Sequence, residues 1–259
     1  NGWSFLGGKN GDINDEASEL VRIVQKGNKK YKNVSDESKL SGQELKDYQE
    51  YKRLNEIYTS ELKSNEKQLE SILMVNDYLV KVKRQNNGVL DKEAFKNYVP
   101  ANEIEQSLTK NFKLAFTFGI KIEEIEDQLK EGQEHFGSLV KYAKLDSDSI
   151  RTYMVGDDVN NSAEKYYGNN HVQGPDARHG THVAGIIAAM RGNKLGLEGI
   201  ANNVKIMIVR AVPNGDERDK DVANAIYYAV DNGATVINMS FGKYYSPDEI
   251  KKLQPITLQ

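Results

Sequence analysis

Apolar positions recur at helical spacing through most of the first 150 residues. Leu20, Val21 and Val24 share one face of a helix expected over Asp15–Gln25, with Gly27 placed to end it. From Ser41 a longer stripe begins. Leu45, Tyr48, Tyr51, Leu54, Tyr58, Leu62, Leu69, Leu73 and Val80 return every three, four or seven residues, the pattern of one long amphipathic helix. Ser41 and Glu44 form a capping box at its start, and Asn87-Gly88 ends it. Asp91 opens a short helix closed by Pro100. Two further helices are expected at Asn102–Asn111, with Asn102 and Glu105 as a second capping box, and at Ile122–Tyr142. A helix of about 40 residues cannot bury its stripe alone, so these segments must pack as a hairpin or bundle. Tyr48, Tyr51 and Tyr58 then read as core, the alternative being a groove for a ligand or partner.

Beyond Arg151 the period changes. Thr181–Met190 (THVAGIIAAM) is a helix of small and apolar residues suited to close packing on a sheet, in which His182 reads as a core histidine. Val204–Val212 (VKIMIVRAV) and Thr235–Met239 (TVINM) have strand length and β-branched composition, and Asp221–Asp231 between them is a helix stopped by Asn232-Gly233. Two strands joined by such a helix predict a right-handed βαβ unit with a parallel sheet.

Charge follows the same division. Lys9–Ile150 holds 23 Lys+Arg and 26 Asp+Glu, whereas Arg151–Gln259 holds 12 of each. The solvated helical stretch therefore accounts for the low mean hydropathy of −0.66. The net charge of −3 argues against a nucleic-acid or anionic-membrane partner, and no apolar run is long enough to span a bilayer. With no cysteine, disulfides, thiolate catalysis and Cys-ligated zinc are excluded. His135, His171, His179 and His182 lack zincin spacing, so no metal site is assigned. The acidic loop Asp216, Glu217, Asp219 and Asp221 has the donors for calcium, but a solvated loop capping the next helix is the simpler reading, and no cofactor is implied.

The chemistry concentrates in HGTHVAG, residues 179–185. His179 precedes a tightly packed helix, where the dipole disfavours imidazolium and leaves the ring available as a base. This string resembles the catalytic-histidine motif of the subtilisin-like serine proteases. Gly199-Ile200-Ala201, the strand ending Val209–Val212, the following helix, and Val236–Gly242 (VINMSFG) are similar to that family's later elements, in its order. The resemblance implies an α/β fold with a partial subtilisin-like parallel sheet and flanking helices, plus an all-α insertion. It implies His179 as general base of a Ser-His-Asp triad. It also implies that Ser240, Phe241 and Gly242 pair with an extended substrate.

The departures are as informative. No G-T-S nucleophile motif and no D-[ST]-G aspartate motif occurs. Asp157-Asp158 could substitute for the aspartate, the simpler reading being a loop or cation-binding pair. The aspartate is expected before Asn1, since NGWSFLGG looks like the connection after the aspartate strand. Arg178 replaces the glycine common before the family histidine, and Leu253–Gln259 matches no family segment.

The expected organisation is a catalytic segment at 1–8, a helical insertion at 9–150 and a second catalytic segment at 151–259. The expected function is part of a secreted or cell-surface serine endopeptidase acting on protein or peptide substrates, inactive as this piece alone. The alternative is a non-catalytic protein-binding helical module on a protease-like or pseudoprotease scaffold. Oligomeric state and specificity are not legible.

Overall fold

The computed structural model describes residues 2–246, so Leu253–Gln259 lies outside the described residues. The helices are α1 (Glu19–Tyr31), α2 (Gly42–Gln85), α3 (Lys92–Asn97), α4 (Glu103–Thr117), α5 (Ile122–Lys144), α6 (Ser147–Met154), α7 (Arg178–Ala188) and α8 (Asp219–Asp231). The strands are β1 (Trp3–Ser4), β2 (Gly7–Gly8), β3 (Gly11–Asp12) and β4 (Val209–Arg210). Packing divides the chain into two compact units, residues 1–54 with 145–259 and residues 55–144. The division differs from the composition boundary at 9–150. Residues 9–54 and 145–150 pack with the α/β unit, in which Glu16, Glu19 and Arg22 are buried, as described below.

In the helical unit the core is Tyr78, Leu79, Val82, Ala94, Phe95, Tyr98, Phe112 and Ile122. Phe95 stacks on Phe112 at 4.9 Å and meets Phe116 edge-on at 5.1 Å. The stripe of α2 does not run as its seven-residue spacing suggests. Leu73 and Val80 are exposed, while Leu79 and Val82 are buried and Val75 packs against the core. A straight helix drifts relative to a seven-residue repeat, so the buried row moves to neighbouring positions.

Asp91 caps α3 by accepting from the Ala94 N–H. Asn102 caps α4 in the same way from the Glu105 N–H. Glu105 does not close a capping box on Asn102. Its carboxylate instead accepts from the Tyr98 hydroxyl at 2.8 Å and the Ala101 N–H at 2.7 Å. These bonds hold the carboxyl below its ordinary range.

In the first unit, β1 pairs in parallel with β4, matching Trp3 to Val209 and Ser4 to Arg210. The hairpin β2–β3 pairs Gly7 with Asp12. Phe5, Ile13, Val155 and Tyr167 form the apolar core, with Trp3, Val209 and Tyr228 packed against it. Gly27 does not end α1. It sits inside the helix because a Cβ there would run into the Tyr51 ring. Tyr31, Tyr48 and Tyr51 cluster with ring centroids 5.0 to 6.0 Å apart. Of these, Tyr31 is buried, and Tyr48 and Tyr51 are partly so, closer to the core reading than to an open groove.

The predicted parallel ladder between 204–212 and 235–239 is not formed. Among the described residues β4 pairs only with β1, and residues 235–239 form no strand. Val236, Ile237 and Met239 stand exposed, as do Val204, Ile206 and Ile208. A strand requires a neighbour for its N–H and C=O groups. Among the described residues the 235–239 run has none, and the 204–212 run has only β1, at Val209–Arg210.

Candidate active site

His179 is the second residue of α7, and it is exposed. No side chain of the N-cap Ala177 closes the helix start. The Asp176 carboxylate does so from one residue earlier, accepting the Arg178 N–H at 2.8 Å and pairing with its guanidinium at 2.9 Å. Asp176, Ala177, Arg178, His179, Thr181 and His182 line an open hollow of about 890 Å³. His182 was expected in the core but is exposed, because no residue of α7 is buried. The helix is held at its C-terminal end instead. The Ile200 and Ala201 N–H groups donate to the Ile186 and Ile187 carbonyls, and a Cβ on Gly199 would strike the Ala188–Ala189 backbone. The Gly199-Ile200-Ala201 element therefore docks on α7 by its backbone.

The segment leading into α7 is clamped by the N-terminal strands. Trp3 Nε1 donates to the Tyr167 carbonyl at 2.8 Å, and Ser4 and Asn169 exchange backbone bonds of 2.8 and 3.0 Å. Asn169 Nδ2 reaches Asp12 at 2.8 Å, where Gly7 leaves room for the amide. The pairing of Trp3, Ser4 and Phe5 with this segment and with β4 places residues 2–8 inside the α/β unit.

Ser240, Phe241 and Gly242 are exposed, with the Ser240 hydroxyl accepting from Asn238 Nδ2 at 2.9 Å. Among the described residues no hydrogen bond joins His179 to Ser240–Gly242 or to Asp157. Asp157 is instead fully buried between Arg151 Nε at 2.8 Å and Lys220 Nζ at 3.0 Å. A carboxylate so neutralised is not free to orient an imidazole or hold a cation. The pair lies in a loop, as the simpler reading has it, but within it Asp157 is taken up by an internal ion pair while Asp158 is exposed.

Asp157 belongs to a buried charge network that sequence reasoning missed. Arg151 on α6 has no exposure and meets Asp221 on α8 through two parallel bonds of 2.7 and 2.8 Å, with a further bond to the Phe5 carbonyl at 3.2 Å. Tyr167 donates its hydroxyl to Asp221 at 2.7 Å. Burial pushes Asp221 up to about 6, against the pull of Arg151 and Tyr167. Burial works against the charge of Arg151, but Asp221, Asp157 and Glu16 outweigh it and raise the guanidinium above its ordinary value.

Arg218 pairs with Glu16 and with Asp148, and Arg22 on α1 pairs with Glu19 at 2.6 Å and donates to the Glu217 carbonyl. The network thereby ties α1 and α6, which flank the helical unit in sequence, to α8.

The acidic loop is absorbed in the same network. Asp216 accepts from the Glu19 N–H at 2.8 Å, so it caps α1 rather than α8. Asp219 pairs with Lys243 and Asp221 with Arg151. The loop is thus an interior ionic junction, not a solvated cap. Among the described residues no cluster of His, Asp and Glu is arranged to hold a metal. No described helix is long and apolar enough to cross a membrane.

Residues 74–256 match the Subtilase family, more than half of the chain. A thermophilic serine proteinase of Bacillus sp. (strain AK1) is 54% identical over 65 residues, 25% of this chain and 16% of that protein. The cell wall-associated protease of Bacillus subtilis (strain 168) is 28% identical over 243 residues, 85% of this chain and 26% of that one. Subtilisin E of the same organism is 30% identical over 152 residues, 58% and 39% of the two chains. The chain thus spans well under half the length of these relatives. No solved structure matches it. The HGTHVAG helix, the Gly-Ile-Ala element docked on it and the VINMSFG run occur together in a chain matched over most of its α/β unit, and the chain belongs to the subtilase family.

Proposed function

We propose that this chain is part of a serine endopeptidase that hydrolyses peptide bonds by a Ser-His-Asp triad, with His179 as the general base. The observation that carries the reading is the family match, taken with the exposed ring of His179 in the open hollow at the start of α7. In the reaction His179 takes the proton of the attacking serine hydroxyl and later gives it to the leaving amine. Exposure of the ring is what such proton exchange with a bound substrate requires. Ser240, Phe241 and Gly242 pair with the extended substrate and wall its specificity pocket. The sequence contains no G-T-S motif, so this chain by itself has no nucleophile for His179 to activate and is inactive.

The helical stretch, 9–150 at its widest, is read as an insertion in the catalytic domain that restricts which substrates enter. Its support is the network that binds α1 and α6 to α8. The protease acts outside the cell or at its surface, a reading that draws on relatives such as the cell wall-associated protease. The test is cleavage of a peptide p-nitroanilide by the whole protease and its His179→Ala variant, with labelling by diisopropyl fluorophosphate. The variant should lose about 10⁴-fold or more in kcat and label slowly. Unchanged cleavage by the variant would sink the assignment of His179. A whole protein that neither cleaves nor labels would sink the enzyme reading and favour the protein-binding one.

A further inference from the structure

We propose that Lys243 is a positioning residue that fixes the Ser240–Phe241–Gly242 segment, and with it the substrate-pairing edge, onto the buried junction of α1 and α8. The inference rests on the reading of 240–242 as a substrate wall. Phe241, Gly242 and Tyr244 are exposed, yet the Lys243 side chain between them is only 5% exposed. Its ammonium points inward and donates to Glu19 Oε2 at 3.0 Å and the Glu217 carbonyl at 3.1 Å, with Asp219 Oδ1 also at 3.0 Å. Two hydrogen bonds and one further ion pair thus surround the ammonium.

Glu19 and Asp219 stand in the first turns of α1 and α8, where the helix dipoles favour negative charge. The two carboxylates share the one ammonium. Without it the buried Glu19 and the partly exposed Asp219 would remain close together, with Arg22 as the other cation on Glu19. Burial works to raise the Glu19 carboxyl, but Arg22 and Lys243 overcome it and hold the group ionised. Among the described residues 239–242 makes no hydrogen bond to either helix, so the pull of Lys243 is the polar tether that seats the segment.

The role predicts a split that a general stabilising contact would not produce. A substrate that lies along 240–242 depends on the segment's position, whereas p-nitrophenyl acetate has no backbone to pair there. In the whole protease, Lys243→Met should raise KM for a tetrapeptide p-nitroanilide about tenfold, with kcat within about twofold and p-nitrophenyl acetate hydrolysis unchanged. Lys243→Arg should restore part of the loss, since it keeps the charge.

In this chain alone, the ¹⁵N order parameters of Phe241 and Gly242 should fall toward the flexible range, below about 0.6, in Lys243→Met. If that variant fails to fold, Asp219→Asn/Lys243→Met removes one carboxylate with the cation and reports the same quantities. Unchanged order parameters would overturn the proposal whether or not the protease reading holds. Lowered order parameters without a selective rise in the peptide KM would overturn the substrate role of 240–242 and leave Lys243 as a tether only.

Discussion

Arg151 and Asp221 face each other end-on across 70 residues of sequence, Nη1 to Oδ2 at 2.8 Å and Nη2 to Oδ1 at 2.7 Å, with neither side chain exposed. This bidentate geometry is the strongest form of carboxylate pairing. It joins the helix after the helical unit to the helix that precedes the VINMSFG run. Tyr167 and Asp157 complete the cage, and Lys220 lies 4.7 Å over the Tyr167 ring. A charge buried in this way has a large desolvation cost, which the pairing offsets only while every member is present.

Removing one partner should therefore cost more than the pair contributes. Arg151→Leu leaves Asp221 and Asp157 buried, with the Lys220 ammonium as a cation near Asp157. We expect a loss of about 3–5 kcal/mol in the stability of the α/β unit, read by urea unfolding. Arg151→Leu/Asp221→Asn removes the uncompensated charge and should recover a large part of it. A loss under about 1 kcal/mol in the single variant would mean that the network is solvated in solution.

The same pair sets a pH dependence with a definite sign. Asp221 rises from 3.8 to about 6 on folding, so the native state binds the proton more tightly than the unfolded chain. Its contribution is full below about pH 4 and declines as pH rises through about 6, a span of roughly 3 kcal/mol at about 1.4 kcal/mol per unit. Glu19 and Asp146, both held below their ordinary range, act oppositely and weaken the fold as pH falls through their folded values. Comparison with Asp221→Asn isolates the first effect. The stability of the parent minus that of the variant should decrease between pH 4 and pH 6.5. A difference that grows over that window would contradict the raised carboxyl.

The long helix, its short successor opened by Asp91, and the α8 helix are legible because each is encoded by local means: a repeating apolar row, a capping side chain, a glycine stop. α8 was expected from Asp221 and begins at Asp219. His179 is legible through its neighbours in sequence. The charge network is not, because its partners lie far apart in the chain and leave no period. Arg22 to Glu217 spans 195 residues and Arg151 to Asp221 spans 70. α6 escapes for the same reason, since its defining residue is a buried arginine rather than an apolar stripe. Of the strands that composition suggests, 204–212 forms one only over Val209–Arg210, and 235–239 forms none. Composition records that a segment can pair, not that a neighbour is there to pair with.

Backbone approach gives a third expectation. A Cβ on Gly8 would fall inside contact distance of the Val155 backbone, where α6 ends against the β2–β3 hairpin. Backbone cannot rotate away as a side-chain tip can. Gly8→Ala should therefore destabilise the α/β unit by about 1–3 kcal/mol, whereas the same change at Gly137, where a Cβ meets nothing, should be neutral or stabilising. Thermal melts of the two variants make the comparison. Equal behaviour would mean that α6 is not seated on the hairpin.

His179→Ala offers a contrast between structure and chemistry. The side chain is exposed and makes no hydrogen bond among the described residues, so its removal should change stability by no more than about 0.5 kcal/mol. A substantial loss of stability would mean that the ring is packed in solution, and its availability as a base would have to be reconsidered.

The helical unit should respond most to its aromatic centre. Phe95 has no exposure and contacts Phe112 and Phe116 at 4.9 and 5.1 Å, with Tyr78 at 6.2 Å. It comes from α3, a helix of 6 residues that has no stripe of its own and is held by this ring and by the Asp91 cap. Truncation removes both the transfer free energy and the edge-on and stacked ring contacts. Phe95→Ala should therefore cost about 3–5 kcal/mol, and Phe95→Leu clearly less. Asp91→Ala, which removes only the cap, should cost about 1 kcal/mol. Hydrogen exchange would locate the effect, with protection lost first in α3 and α4 for Phe95→Ala and in α3 for Asp91→Ala. Equal losses from the two changes would mean that α3 is held by its cap, and that the ring cluster contributes little to the unit's stability.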